Sequence, residues 1–153
     1  MPEASDDATL LEELRALYRE VDALYADWTC PSSTECCRFG ITGRQPYVTS
    51  IEVTALERAL ARRGGALQPK KRALPLTADA AHERICPLLD RRNRCSVYAD
   101  RPLGCRTFFC ERATPGLGPE RDELRDLVRR LQELAARQRM GGELARPITR
   151  VFE

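Results

Sequence analysis

The sequence predicts a mainly α fold: a small single domain spanning residues 1–153, in which amphipathic helices bracket a loop-rich, short-hairpin segment that carries a cysteine cluster. Three observations predict it. Apolar residues recur at helical spacing near both ends of the chain, and all seven cysteines fall between Cys30 and Cys110. A length of 153 residues suffices for one hydrophobic core and is short for two ordinary domains. The 42% hydrophobic and 31% charged composition is that of a globular protein, and the 6% aromatic content points to a core of Leu, Ala and Val.

The first helix is expected over about residues 6–28. There Leu10, Leu14, Leu17, Val21, Leu24 and Trp28 alternate spacings of four and three, with acidic residues in the first turn. Tyr18 and Tyr25 widen the apolar face and read as packing residues without chemistry. A second helix is announced by Thr49 and Glu52, which stand in capping-box relation ahead of Val53, Leu56 and Leu60, and it is stopped by Gly64-Gly65. Gln68 to Arg72 reads as an exposed basic loop leading to an extended Ala73-Leu74-Pro75-Leu76.

The stretch from Cys86 to Cys95 reads as a hairpin, polar at its centre, with Asn93 suited to a positive φ. If the hairpin is symmetric, Cys86 faces Cys95. Opposed cross-strand Cβ atoms lie roughly 4.5–5.5 Å apart, compatible with a shared metal or, after adjustment, a disulfide. The last helix is expected over about residues 119–140. It opens with Gly118-Pro119, carries Leu124, Leu127, Leu131 and Leu134, and ends at Gly141-Gly142. It should pack against the first helix, and the closing segment from Glu143 to Glu153 should dock as a tail. The middle of the chain, lacking a strong apolar pattern, should build little core of its own and gain order from a bound metal.

Charge and terminus exclude several classes of function. With 25 basic and 23 acidic residues the formal charge is +2, which gives no global case for nucleic acid or anionic membranes as partners. No apolar run approaches the length that spans a bilayer, and the acidic start Met1-Pro2-Glu3-Ala4-Ser5-Asp6-Asp7 is unlike a signal peptide, so a cytoplasmic location is expected. In a reducing compartment an odd number of cysteines points to metal binding or redox chemistry rather than to a disulfide framework.

The cysteines form two incomplete groups, Cys30, Cys36 and Cys37, then Cys86, Cys95, Cys105 and Cys110. Two half-sites joined by the fold are a common way to assemble a four-coordinate centre. An all-sulfur set suits zinc or an iron–sulfur cluster and argues against magnesium or calcium. Because neighbouring side chains point apart in an extended segment, one of Cys36 and Cys37 should ligate while the other packs or supports a second centre. Arg91, Arg92, Arg94, Arg101, Arg106 and Arg112 face only Asp90, Asp100 and Glu111 in the same stretch, an excess of positive charge that favours thiolates and supplies donors to sulfur. His82, the only histidine, reads as a neighbour of the site more readily than as a ligand.

The blocks Cys36-Cys37-Arg38, Cys86-Pro87-Leu88-Leu89, Cys95-Ser96-Val97-Tyr98, Arg101-Pro102 and Cys105-Arg106-Thr107-Phe108-Phe109-Cys110 resemble the YkgJ-type cysteine-cluster family, described as a zinc- or iron-chelating domain. The resemblance covers about residues 30–110. It departs from the family in the first block, where only Cys30 precedes the Cys36-Cys37 pair. A related flagellin lysine methylase carries a similar block and is regarded as dependent on an iron–sulfur cluster, so the resemblance modestly favours iron over zinc. The expected principal ligands are Cys37, Cys86, Cys105 and Cys110. Cys36, Cys95 and Cys30 complete a second centre or support the first, and Arg38, Arg101 and Arg106 lie close behind. The expected function is metal binding, with a metal ion or cluster as partner and a protein partner allowed. A metal-dependent enzyme or an accessory protein of a methylase-like system is the alternative. A thiol-redox or nucleic-acid-binding module is expected least, since the chain has no Cys-x-x-Cys and no interleaved aromatic and basic pattern.

Overall fold

The apolar spacing near the two ends does form two long helices. The computed structural model of the chain describes residues 6–26, 46–64, 86–92, 94–107, 121–138 and 145–150. In chain order the elements are α1 (Asp7–Leu24), β1 (Tyr47–Val48), α2 (Ser50–Arg62), a 3-10 turn at Tyr98–Asp100, α3 (Leu103–Thr107), α4 (Arg121–Arg137), β2 (Arg146–Pro147) and a 3-10 turn at Ile148–Arg150. The chain is mainly α, and among the described residues no helix is long and apolar enough to cross a membrane.

Helix α1 buries Leu10, Leu11, Leu14, Leu17, Tyr18 and Val21, and Tyr25 is buried just beyond its end. At 100° per residue these side chains share one arc, broadened towards Leu11, Tyr18 and Tyr25. Leu24 falls on the far edge of that arc and is 36% exposed, so the alternating spacing assigned it to the core wrongly. The helix also ends earlier than expected. Tyr25 and Ala26 donate to the carbonyls of Asp22 and Ala23, three residues back, which tightens the last turn. Trp28 lies outside the described residues.

Helix α4 packs on α1, as its leucine spacing implies. Leu127, Leu131, Leu134 and Ala135 join the α1 residues, Ile51 and Leu103 in a first apolar cluster. The Arg130 guanidinium binds both carboxylate oxygens of Glu20 at 2.9 and 2.8 Å, and Arg137 binds both of Glu13 at 2.7 and 2.8 Å. Ascending arginines meet descending glutamates, so the helices are antiparallel. These exposed pairs fix register more than they stabilise.

Helix α2 starts and stops where its cap residues place it. Glu52 accepts the backbone N–H of Thr49, and Gly64 ends the segment at φ 109°, a left-handed conformation that glycine adopts without a Cβ penalty. Leu56, Ala59 and Leu60 face a second apolar cluster with Val48, Cys86, Leu88, Leu89, Val97 and Ile148. The middle of the chain therefore builds more core than its weak pattern implied. The C-terminal tail docks on it: β2 pairs antiparallel with β1, Tyr47 opposite Pro147 and Val48 opposite Arg146, and Ile148 is fully buried.

Candidate metal centre

Asp90 decides the shape of the first cysteine-bearing element. Its Oδ1 accepts the N–H groups of Arg92 and Arg94 at 2.8 and 2.9 Å, and its own N–H donates to the Arg94 carbonyl at 2.8 Å. This side-chain-closed turn ties the chain on either side of the loop together. Leu89 is then bridged antiparallel to Cys95, and the Ser96 N–H donates to the Leu88 carbonyl at 3.0 Å. The hairpin exists, but the expected facing of Cys86 and Cys95 does not. Leu89 takes the place opposite Cys95, because the tight Asp90 turn closes the hairpin on Leu88 and Leu89 and leaves Cys86 beyond the bridged pair. Cys86 lies three residues earlier, where its carbonyl accepts the Leu89 N–H at 3.3 Å, and it carries a free thiol. Cys86 and Cys95 are not joined by a disulfide in this structure.

The Arg94 N–H, more than any other group, holds the Asp90 carboxyl below the usual carboxylate range. A group with a lowered folded pKa loses its contribution as pH falls through that value. Asp90→Ala, or acidification below the ordinary aspartate range, should therefore make amide exchange at Arg92 and Arg94 several-fold faster. Exchange in α1 should be unaffected.

Helix α3 carries Cys105 and closes onto the preceding turn. Arg106 folds back on the residues that introduce the helix: its Nε donates to the Arg101 carbonyl at 2.7 Å and its Nη2 to the Ala99 carbonyl at 2.6 Å. Its Nη1 reaches Asp22 of α1, 2.9 and 2.8 Å from the two carboxylate oxygens, and the guanidinium stacks 4.1 Å above the Tyr18 ring. The Arg106 side chain is buried, a rare environment for arginine that requires paired donors. Arg101 covers the exposed Tyr98 ring at 3.9 Å and donates from Nε to the Tyr98 carbonyl at 3.0 Å. Gly104 allows α3 to approach the β1 entry closely, since a Cβ there would stand 2.7 Å from Pro46 Cβ.

The spacing of Thr49 and Glu52 marks Glu52 as a capping residue, and the structure gives it a wider role. The side chain is fully buried, and its Oε2 accepts the Thr49 N–H and hydroxyl at 2.9 and 3.2 Å. Its Oε1 accepts the Tyr18 hydroxyl at 3.1 Å and the Leu103 N–H at 2.7 Å. Burial pushes the Glu52 carboxyl up against the opposing pull of these donors, that of Leu103 first. Tyr18 is pushed well above its ordinary range by burial and then by the Glu52 charge. One signal in the sequence did mark Glu52: it stands four residues before Leu56, on the buried stripe of α2.

Three of the seven cysteines are placed. Cys86 is buried in the second apolar cluster, and Cys95 and Cys105 pack half-buried against the same cluster. The hairpin and α3 thus bring three cysteines to one apolar cluster, and sulfur donors suit zinc or iron better than a hard cation. Among the described residues alone, no group of three or more Cys, His, Asp or Glu side chains is disposed to hold a metal ion. Cys30, Cys36, Cys37, Cys110, Arg38 and His82 lie outside the described residues.

A family model described as "CxxCxxCC: Putative zinc- or iron-chelating domain" matches residues 29–126, well over half of the chain. Laid on Cys30 to Cys37, the pattern in that name falls on Cys30, Ser33, Cys36 and Cys37, so a serine stands at its second cysteine. No curated protein and no solved structure matches the chain. The chain belongs to this zinc- or iron-chelating cysteine-cluster family.

Proposed function

We propose that the chain holds zinc or an iron–sulfur cluster through cysteine thiolates. Cys37, Cys86, Cys105 and Cys110 are the principal ligands, with Cys36, Cys95 and Cys30 completing or supporting the centre. The observation that carries the reading is the convergence of Cys86, Cys95 and Cys105, from two separate elements, on one apolar cluster. Thiolates at the edge of such a cluster are shielded from water on one side, and ligands from the first block close the coordination sphere. Ser33 leaves that block one thiolate short of the family pattern, so the second block supplies most of the donors. Bound metal would crosslink the hairpin, α3 and the first block, and a centre closed by four sulfurs would be structural or electron-transferring rather than hydrolytic. The resemblance to the methylase favours the iron–sulfur form.

Anaerobic purification followed by elemental analysis and a visible spectrum tests this. The expected result is about one equivalent of metal per chain or more, on the order required by domains that fold around a metal. Broad visible absorption identifies a cluster, and colourless protein containing zinc identifies a zinc site. Protein with less than about a tenth of an equivalent of both metals overturns the proposal.

A further inference from the structure

The Glu52 carboxylate joins elements that its capping role does not require. A cap needs only the Thr49 N–H, and a cap alone leaves the carboxylate in water. Glu52 instead directs Oε1 away from its own helix to Tyr18, 34 residues earlier, and to Leu103, 51 residues later. Leu103 opens α3, whose first N–H groups have no partner within the helix. A buried carboxylate persists only where fixed donors replace its water, and here four do.

Leu103 is also the hinge between the two clusters. Its side chain packs in the first, while Cys105, two residues on in the same five-residue helix, packs on the second. A helix this short has no cooperativity of its own to hold its orientation. Among the described residues, two tethers that meet at Tyr18 hold it: the Leu103 N–H on Glu52, which also binds the Tyr18 hydroxyl, and Arg106, which lies over the Tyr18 ring and reaches Asp22. Tyr18 and Asp22 belong to α1, outside the residues that match the family model.

We propose that Glu52, supported by Tyr18, is a positioning residue of the metal centre: through the Leu103 N–H it sets the height and rotation of α3 and so the place of the Cys105 thiolate. This rests on the thiolate reading above. Cys86 and Cys95 lie in the separate hairpin segment, for which no bond to Glu52 is present among the described residues. Loss of the Glu52 link should therefore disturb one ligand rather than all three.

The test uses the full chain, reduced and stripped of metal with a chelator. Each cysteine is labelled with iodoacetamide and its rate read by peptide mass spectrometry. Glu52→Gln keeps the shape but turns a donor against one of the bound N–H groups, and Tyr18→Phe removes one hydroxyl while keeping the ring under Arg106. For Glu52→Gln, Cys105 should label about tenfold faster than in the wild type, the scale of one lost hydrogen bond to a charged group, with Cys86 and Cys95 near their wild-type rates. Tyr18→Phe should shift Cys105 in the same direction by less, and it decides the matter if Glu52→Gln does not fold. Zinc affinity, measured against a chromophoric chelator, should fall about tenfold in Glu52→Gln. Equal acceleration at all three cysteines, or none at Cys105, overturns the proposal. Wild-type protein that takes up neither zinc nor iron removes the proposed function, whereas the labelling contrast still decides whether Glu52 positions Cys105.

Discussion

Arg106→Met lowers the unfolding free energy by about 3 kcal/mol, measured by denaturant titration at a fixed metal state. The figure follows from what the guanidinium holds. The Ala99 and Arg101 carbonyls lose their arginine donor, each at about 1 kcal/mol, and the stacking on Tyr18 contributes about 1 kcal/mol more. The ion pair with Asp22 adds little, because the Asp22 side chain is 55% exposed and water replaces the arginine there. Asp22→Asn should therefore cost less than about 1 kcal/mol, and a loss as large as that of Arg106→Met would show that the pair, not the carbonyl network, is the main contribution. Arg106→Lys should recover less than half, since one ammonium cannot span acceptors that the planar fork reaches in three directions.

The same residue shows where the sequence was legible and where it was not. The local surroundings of Arg106, rich in arginine and cysteine, point to a donor near sulfur. Four of its bonds run to Asp22, Ala99 and Arg101, and the first of these partners lies 84 residues away. No local pattern encodes a contact of that range. Periodicity did encode α1, α2 and α4, because helical burial repeats within a few residues, and the Thr49–Glu52 spacing and Gly64 placed the ends of α2. Strands β1 and β2 are two residues each, too short to display alternation, so the tail's docking site could not be read. The hairpin was legible as a turn between apolar residues, but its register depended on the Asp90 side chain closing the loop, and a symmetric reading misplaced Cys86 by three residues. In the motif Arg101-Pro102 to Cys105-Arg106, what looked like a ligand signature is also a structural one: Arg106 closes back on Arg101, and Pro102 is fully buried.

Removing the metal with a chelator should loosen one half of the core and spare the other. The first cluster is made of leucines from α1 and α4 together with Val21, Ile51, Leu103, Ala135 and two tyrosines, and among the described residues it contains no cysteine. Its stability comes from apolar burial and antiparallel helix packing, neither of which a chelator touches. The second cluster has Cys86 within it and Cys95 and Cys105 against it, and among the described residues its hairpin is held by the Leu89–Cys95 bridge, a few backbone bonds, the Ser96 hydroxyl on the Leu88 carbonyl and the Asp90 turn. Structural metal centres bind with roughly 10–16 kcal/mol, as much as the whole stability of an ordinary domain, which is about 5–15 kcal/mol. An element with so few bonds of its own falls towards zero local stability once that contribution is gone. Hydrogen exchange read by mass spectrometry should then show the Leu89, Asp90 and Ser96 amides exchanging near the unfolded rate after chelation, while the α1 amides from Leu14 to Val21 keep their protection. The Leu103 amide should follow α1 rather than the hairpin, because its acceptor is Glu52 of α2. Uniform loss of protection would mean that the metal holds the whole fold, and unchanged protection at Leu89 and Ser96 would mean that the hairpin owes nothing to it.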